Sequence, residues 1–261
     1  MSLKGEERKK YIMERLNSKG QIKTKELSRK FNVSGETVRR YLQQLEDEKK
    51  LKRVYGGAVK ITYDKVEEEY LKRTVVHLKE KKVIGKIAAE LVEDDEHIII
   101  DEGTTTYQMV EYLVNKKNLV IFTSSFPIAS SLMDFKNKNI FDGEIIFIGG
   151  KINTKQRRTS GDIAVNMMKN FHVDKAFIAS AGVLLDYGLS GFYYEKGVLS
   201  KKFLEIAKEN VLMIDHSKIG VKNYYKFAEL EDIDIVICDE NAPEEWQEQL
   251  SARDIKWIVA E

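Results

Sequence analysis

The sequence predicts an α/β protein in which a small winged helix-turn-helix domain precedes a larger, Rossmann-like domain with a mainly parallel sheet. Three observations lead there. Charge is divided unevenly: residues 1–60 hold 17 Lys and Arg against 8 Asp and Glu, whereas residues 61–261 hold 26 against 34. Amphipathic helical patterns fill the first fifty residues and run into a glycine-containing hairpin pattern. Beyond residue 79, short apolar runs alternate with helical spacing. The expected division is a DNA-binding domain at 1–60, a linker at 61–78 and an effector domain at 79–261.

Composition narrows the function classes. No apolar run approaches the twenty residues needed to span a bilayer, and the charged first seventeen residues lack the apolar stretch of a signal peptide, so a cytoplasmic protein is expected. Cys238 is the single cysteine, which leaves no intrachain disulfide and no cysteine-based zinc site. Its setting, Ile235-Val236-Ile237-Cys238, marks a buried strand. His77, His97, His172 and His216 are scattered without ligand spacing, so no metal is expected.

Apolar spacing places three helices in the first domain. Ile12 and Leu16 stand four apart on the first, Leu27 and Phe31 four apart on the second, and Val38, Tyr41, Leu42 and Leu45 share one face of the third. Asn32-Val33-Ser34 supplies the turn between the second and third, with Ser34 as N-cap. The other face of the third helix carries Gly35, Glu36, Thr37, Arg39, Arg40, Gln43 and Gln44. Together with Ser34, these are residues that reach base edges and phosphates in a major groove. Residues 51–54 and 58–60 flank Tyr55-Gly56-Gly57, a hairpin whose glycines allow positive φ, and this wing places Lys52, Arg53 and Tyr55 beside duplex DNA. Basic charge confined to one end of the chain agrees with phosphate contact. The competing reading is a three-helix module whose basic face meets an acidic protein.

Residues 33–42, Val-Ser-Gly-Glu-Thr-Val-Arg-Arg-Tyr-Leu, followed by Leu51-Lys52-Arg53-Val54-Tyr55-Gly56-Gly57-Ala58, resemble the N-terminal domain of the DeoR family of bacterial transcriptional regulators. Relatives usually have Asp after the paired arginines, where this chain has Tyr41.

The linker is charged, with Glu67-Glu68-Glu69 at its centre, and is expected to be partly helical. After it, Val83, Ile87, Ala88 and Leu91 fit a helix, and strands are expected at 98–100, 119–123, 145–148, 175–179, 211–214, 235–238 and 257–259. In parallel sheets ligands gather at the carboxyl ends of strands, and polar residues concentrate there in this chain. The first strand runs into Asp101-Glu102-Gly103-Thr104-Thr105-Thr106, followed by a helical pattern at 107–113. Free amides and hydroxyls at a helix start suit a phosphate, although a threonine-rich N-cap has the same appearance. The next strands end at Thr123-Ser124-Ser125, with Pro127 placed to start a helix, at Gly149-Gly150, at Ser180-Ala181-Gly182, and at Asp215-His216-Ser217-Lys218. Lys218 is either a cation beside the same anion or a solvated loop lysine. The ligand set is Asp101, Gly103, Thr104, Thr105, Thr106, Ser124, Ser125, Gly149, Gly150, Gly182 and Lys218, around a small anion.

These strand ends, with Ser160-Gly161 and Asp174-Lys175, also resemble the DeoR effector domain. The resemblance implies a fold shared with ribose-5-phosphate isomerase, acting as a sensor for a sugar phosphate, without a cofactor. Relatives commonly have Thr-Asn-Ser where this chain has Thr123-Ser124-Ser125. The isomerase's Asp-Gly-Ala-Asp-Glu segment is replaced around Ser180-Ala181-Gly182-Val183, its Lys-Gly-Gly-Gly segment is absent, and Ser200 falls near its catalytic Glu. Glu195 is nearby, as a ligand contact or a decoy. The expectation is a non-enzymatic repressor of sugar-metabolism genes, dimeric or tetrameric, that binds operator DNA and a phosphorylated metabolite. The alternative is an isomerase fused to a DNA-binding domain.

Overall fold

The computed structural model describes residues 3–19, 21–48, 50–60 and 67–261. The N-terminal unit contains α1 (Leu3–Lys19), β1 (Gln21–Lys23), α2 (Thr24–Phe31), α3 (Gly35–Asp47), β2 (Leu51–Val54) and β3 (Gly57–Lys60). Its core is Ile12, Leu16, Leu27, Val38, Leu42, Leu45, Leu51 and Ala58, the faces that the apolar spacing marks together with the base of the hairpin. β2 and β3 form the wing, and β1 adds to β3 as an unanticipated third antiparallel strand. The turn between α2 and α3 closes with Asn32 in the left-handed region at φ 52°, a conformation that asparagine tolerates.

Residues 61–66 of the expected linker lie outside the described residues. The remainder, 67–78, contains α4 (Tyr70–Arg73) and is packed down, with Tyr70 buried and its amide donating to the Lys155 carbonyl at 3.1 Å.

The sheet domain follows as α5 (Leu78–Glu90), β4 (His97–Ile100), a 3-10 turn at Thr106–Tyr112, β5 (Val120–Thr123), α6 (Phe126–Asn137), β6 (Glu144–Phe147), β7 (Lys151–Asn153), β8 (Arg158–Ser160), α7 (Asp162–Met168), β9 (Val173–Ala179), β10 (Gly182–Leu184), β11 (Gly188–Gly191), α8 (Tyr194–Ile206), β12 (Ala207–Met213), β13 (Tyr225–Ala228), β14 (Ile235–Cys238), α9 (Gln247–Ala252) and β15 (Lys256–Val259). The seven expected strands form one parallel sheet in the order β15-β14-β12-β9-β4-β5-β6. Alternation along each strand supplies two cores. Ile98, Ile100, Ile121, Phe177, Met213 and Ile237 pack under α5, the 3-10 turn and α6, while Ile99, Phe122, Ile178, Leu212 and Val236 pack under α7 and α8. Burial on both faces is why these strands read as unbroken apolar runs. The helical pattern after the threonines is a 3-10 turn, and the β7–β8 hairpin and the small β10-β11-β13 sheet carry no strong apolar signal.

Strand order locates the functional crevice. From β4 the chain adds β5 and β6 on one side, then returns to lay β9 against the other side of β4. The connections therefore diverge above the carboxyl ends of β4 and β9, the position where open parallel sheets hold ligands.

Gly85 of α5 brings that helix onto the 3-10 turn, because a Cβ there would lie 2.5 Å from the Gln108 carbonyl carbon. Alanine favours a helix interior by about 1 kcal/mol over glycine, but overpacking costs about 1–3 kcal/mol. Gly85→Ala is therefore expected to destabilise the protein by up to about 2 kcal/mol in urea unfolding. A gain in stability would show that α5 is free to move away from the turn.

Candidate functional site

The DNA-facing candidates lie on α3 and the wing. Ser34 caps α3, its Oγ accepting from the Thr37 amide at 3.2 Å and lying 3.0 Å from the Thr37 hydroxyl. Glu36, Arg39 and Arg40 are exposed, and Gly35 and Lys52 are half-buried. Gln43 and Arg53 are engaged with each other: the guanidinium donates to Gln43 Oε1, and the Gln43 amide donates to Asp47 Oδ1 at 2.9 Å. The Arg53 amide also donates to Glu46 Oε1 at 2.7 Å. These bonds clamp the wing to the helix, so Gln43 and Arg53 set the angle between the two DNA-facing elements. Tyr55 is 93% exposed at the hairpin tip, beside Gly56 at φ 84°. Tyr41 accepts a hydrogen bond from Arg8 at 3.2 Å, so the departure from Asp retains an acceptor between α3 and α1.

The second site lies at the carboxyl ends of β4 and β9. Asp101 is 1% exposed, and its Oδ2 accepts from Lys196 Nζ at 2.9 Å and from the Ser200 hydroxyl at 3.0 Å. Burial pushes the Asp101 carboxyl up and the Lys196 ammonium opposes that shift, while Glu102 adds to it. Lys196 also donates to the Ala179 carbonyl at 2.9 Å, which ties β4 to β9. Beside them Glu102 pairs with Arg158 at 2.7 Å, both side chains almost fully buried. Glu102 Oε2 and Arg158 Nε have no partner among the described residues. The Arg158 guanidinium lies 5.0 Å from the centroid of the Tyr193 ring.

Within the threonine turn, Thr106 serves the backbone: its hydroxyl donates to the Asp101 carbonyl at 2.7 Å and the Gly103 carbonyl at 3.2 Å. The amides of Gly103, Thr104 and Thr105 meet no acceptor among the described residues, nor do the hydroxyls of Thr104 and Thr105. Ser124 Oγ is likewise buried and unpartnered, whereas Ser125 caps α6 by accepting from the Ile128 amide at 3.5 Å. Gly149 has open space at its Cβ position, while a Cβ on Gly150, at φ 147°, would lie 2.6 Å from the Ser160 carbonyl oxygen. Gly182 serves packing, since its Cβ would lie 2.5 Å from the Val221 carbonyl oxygen.

A third cluster adjoins α5. Lys81 is 3% exposed and donates to the carbonyls of Arg73 at 2.8 Å and Val76 at 2.6 Å. Burial pushes its ammonium down to about 8, with Asp215 opposing. Burial alone would raise the Asp215 carboxyl, but Lys218, Ser217 and Lys81 outweigh it and hold the carboxyl below its usual value. Next to it, His216 Nδ1 lies 2.6 Å from Asp239 Oδ2, and this hydrogen bond raises the imidazole pKa. His77 meets the His216 ring edge-on at 4.7 Å.

Sequence reasoning overlooked Lys81, Arg158 and Lys196. Arg158 is 56 residues from Glu102 and Lys196 is 95 from Asp101, so no local spacing announces those two, while Lys81 serves nearby backbone carbonyls, which no side-chain pattern marks. Glu195, which the sequence does draw attention to, points outward and pairs with Lys151 at 2.8 Å.

Comparison with known proteins bears on both sites. Residues 8–63 match the model of the DeoR-like helix-turn-helix domain, and residues 76–240 match that of the DeoR C-terminal sensor domain. The chain belongs to the DeoR family. It is 30% identical to the HTH-type transcriptional repressor GlcR of Bacillus subtilis, over 98% of this chain and 96% of that protein. It is 26% identical to a putative aga operon transcriptional repressor of Escherichia coli O157:H7, over 97% and 93% of the two chains. Among solved structures, ribose 5-phosphate isomerase A of Methanocaldococcus jannaschii aligns with a TM-score of 0.39 at 18% identity, over 55% of each chain. This DeoR-family chain is a DNA-binding transcriptional regulator, and none of its described helices is long and apolar enough to cross a membrane.

The His216 pair fixes a pH dependence. Because the folded pKa is raised, the pairing stabilises the fold fully below the unfolded value of 6.5 and loses that contribution as pH rises through the folded value. The stability gap between the wild type and His216→Gln is expected to be widest near pH 5 to 6 and to shrink by about pH 9, as measured by urea unfolding across that range. A gap independent of pH would mean that His216 is neutral throughout.

Proposed function

We propose that this DeoR-family regulator is a repressor whose operator affinity changes when a sugar phosphate occupies the crevice above β4 and β9. The observation that carries the proposal is the threonine turn: three amides and two hydroxyls that meet no acceptor among the described residues, on a loop that starts where the strand connections diverge. Free amides at such a turn favour an anion. Lys81 and Lys218, grouped around Asp215, provide the neighbouring cations. Relatives named as repressors, one of them of an aga operon, support repression and a carbohydrate setting. The isomerase reading is weaker, because the crevice acids Asp101 and Glu102 are each held by a cation and Ser200 stands near the place of the enzyme's catalytic acid.

The same residues suggest how occupancy reaches the DNA. Lys81 holds the carbonyls of Arg73 and Val76, in the segment that leads back towards the wing, so a phosphate that draws on Lys81 competes with that segment. The turn containing Lys218 runs on to Gly220, where a Cβ would lie 2.9 Å from Val59 of β3. An effector favouring one arrangement of these contacts biases the orientation of the reading helices. Twofold operator symmetry calls for at least a dimer.

Three measurements test this reading. Arg39→Ala and Arg40→Ala are expected to weaken operator binding, and the variant that loses a phosphate contact shows a salt slope shallower by about one charge. Unchanged affinity in both would displace α3 as the reading helix. Thr105→Val keeps the shape but removes a hydroxyl; it is expected to leave operator binding intact and weaken the effector response by about tenfold. A wild-type response would make the threonine turn purely structural. Because Lys81 loses its proton near 8 in the free protein, effector affinity is expected to fall as pH rises from about 7 to 9. A flat titration profile would remove Lys81 from the site.

A further inference from the structure

A polar cluster lies beside the threonine turn, built around Asp101 and Glu102 at its start. Three acids and three cations meet there, and each acid already has its cation: Asp101 with Lys196 at 2.9 Å, Glu102 with Arg158 at 2.7 Å, and Glu67 with Arg73 at 3.1 Å. Glu67 arrives from the segment after residue 66; its side chain is 12% exposed, and the charges of Glu102, Arg158 and Lys196 all act on it. A ligand carboxylate entering this cluster would be a fourth acid among three cations that each already face one, and it would lie against the bare Glu102 Oε2. What the cluster does leave open is one acceptor and one donor, Glu102 Oε2 and Arg158 Nε, both buried and both without a partner among the described residues. A hydroxyl can donate to the first and accept from the second, and neighbouring hydroxyls on a carbon chain satisfy both together. A carboxylate has no proton to give to Glu102.

We propose that Glu102 and Arg158 select a phosphorylated sugar whose far end is an uncharged, hydroxyl-bearing chain, and that they exclude phosphorylated sugar acids. This rests on the sugar-phosphate reading of the same crevice and adds to it the chemistry of the unphosphorylated end. Glu67, largely buried and paired with Arg73, lies close enough to feel the charges of both Glu102 and Arg158.

The full-length protein is titrated calorimetrically with inorganic phosphate, ribose 5-phosphate, glucose 6-phosphate, fructose 6-phosphate and 6-phosphogluconate. At least one neutral-ended sugar phosphate is expected to bind about tenfold tighter than inorganic phosphate, with 6-phosphogluconate gaining nothing over it. The double variant E102Q/R158Q removes both charges at once and leaves no unpaired buried ion. It is expected to abolish the sugar preference while binding inorganic phosphate as the wild type does. R158K, which retains the charge but lacks the Nε–H, gives the same loss and serves where the double variant does not fold. Preference retained in the variants overturns the proposal, as does 6-phosphogluconate binding as tightly as the sugar phosphates, or phosphate binding with no sugar preference at all. If no compound binds the wild type, inorganic phosphate included, the sugar-phosphate reading itself falls and this proposal falls with it.

Discussion

Lys196 joins the two halves of the sheet domain where the strand connections diverge. Its ammonium donates to Asp101 at the end of β4 and to the Ala179 carbonyl at the end of β9, so one side chain closes the base of the crevice and fixes the start of the threonine turn. The cost is the burial of Asp101, whose carboxyl is pushed up by desolvation and returned towards ionisation by the same ammonium. Ser200 and the Glu102 amide supply the remaining hydrogen bonds that a buried carboxylate needs. Breaking such a pair from one side typically costs about 3–5 kcal/mol, because the abandoned charge stays buried. The threonine turn and the Glu102–Arg158 pair both begin from that base.

The parts of this architecture that were legible in the sequence are those encoded by local periodicity. The five inner parallel strands announced themselves because they are buried on both faces, the half-buried edge strands β6 and β15 by short apolar runs, and the reading helix because Val38, Leu42 and Leu45 repeat at helical spacing while Arg39 and Arg40 stay exposed. The β7–β8 hairpin and the β10-β11-β13 sheet escaped notice, being strands of three or four residues paired antiparallel outside the main sheet. Site residues divide the same way. Asp101–Thr106 is one contiguous string and could be singled out, whereas Arg158 and Lys196 acquire meaning only from partners distant in sequence. Glu195 and Lys196 show how narrow the margin is. On a helix adjacent side chains diverge by about 100°, so one of the two faces Lys151 at the surface and the other reaches Asp101 in the crevice.

Placement of charge also separates the two functions of the molecule. On α3, Arg39 and Arg40 remain exposed, which suits a partner whose phosphates are met at the surface in salt-dependent fashion. In the sheet domain the corresponding cations are buried and already committed, Arg158 to Glu102 and Lys81 to two backbone carbonyls. A buried cation with an exchangeable partner suits a switch better than a free one, because a ligand that takes over the cation must release whatever held it before. For Lys81 the partner at risk is the segment 73–76, which continues back through Glu67 towards the wing.

The segment after residue 66 is docked on the sheet domain through several contacts. Gln156 accepts from Arg73 at 2.7 Å and donates to the carbonyls of Glu67 at 3.3 Å and Glu68 at 3.0 Å, while Tyr70 is buried and Lys155 pairs with Glu69 at 3.3 Å. The segment is therefore held from several sides: by Lys81 on the Arg73 and Val76 carbonyls, by Gln156 and Lys155 between β7 and β8, and by the burial of Tyr70. Among these holds the Lys81 ammonium is a buried cation, so an anion that took it over would have to make good the two hydrogen bonds it now gives to the backbone of the segment.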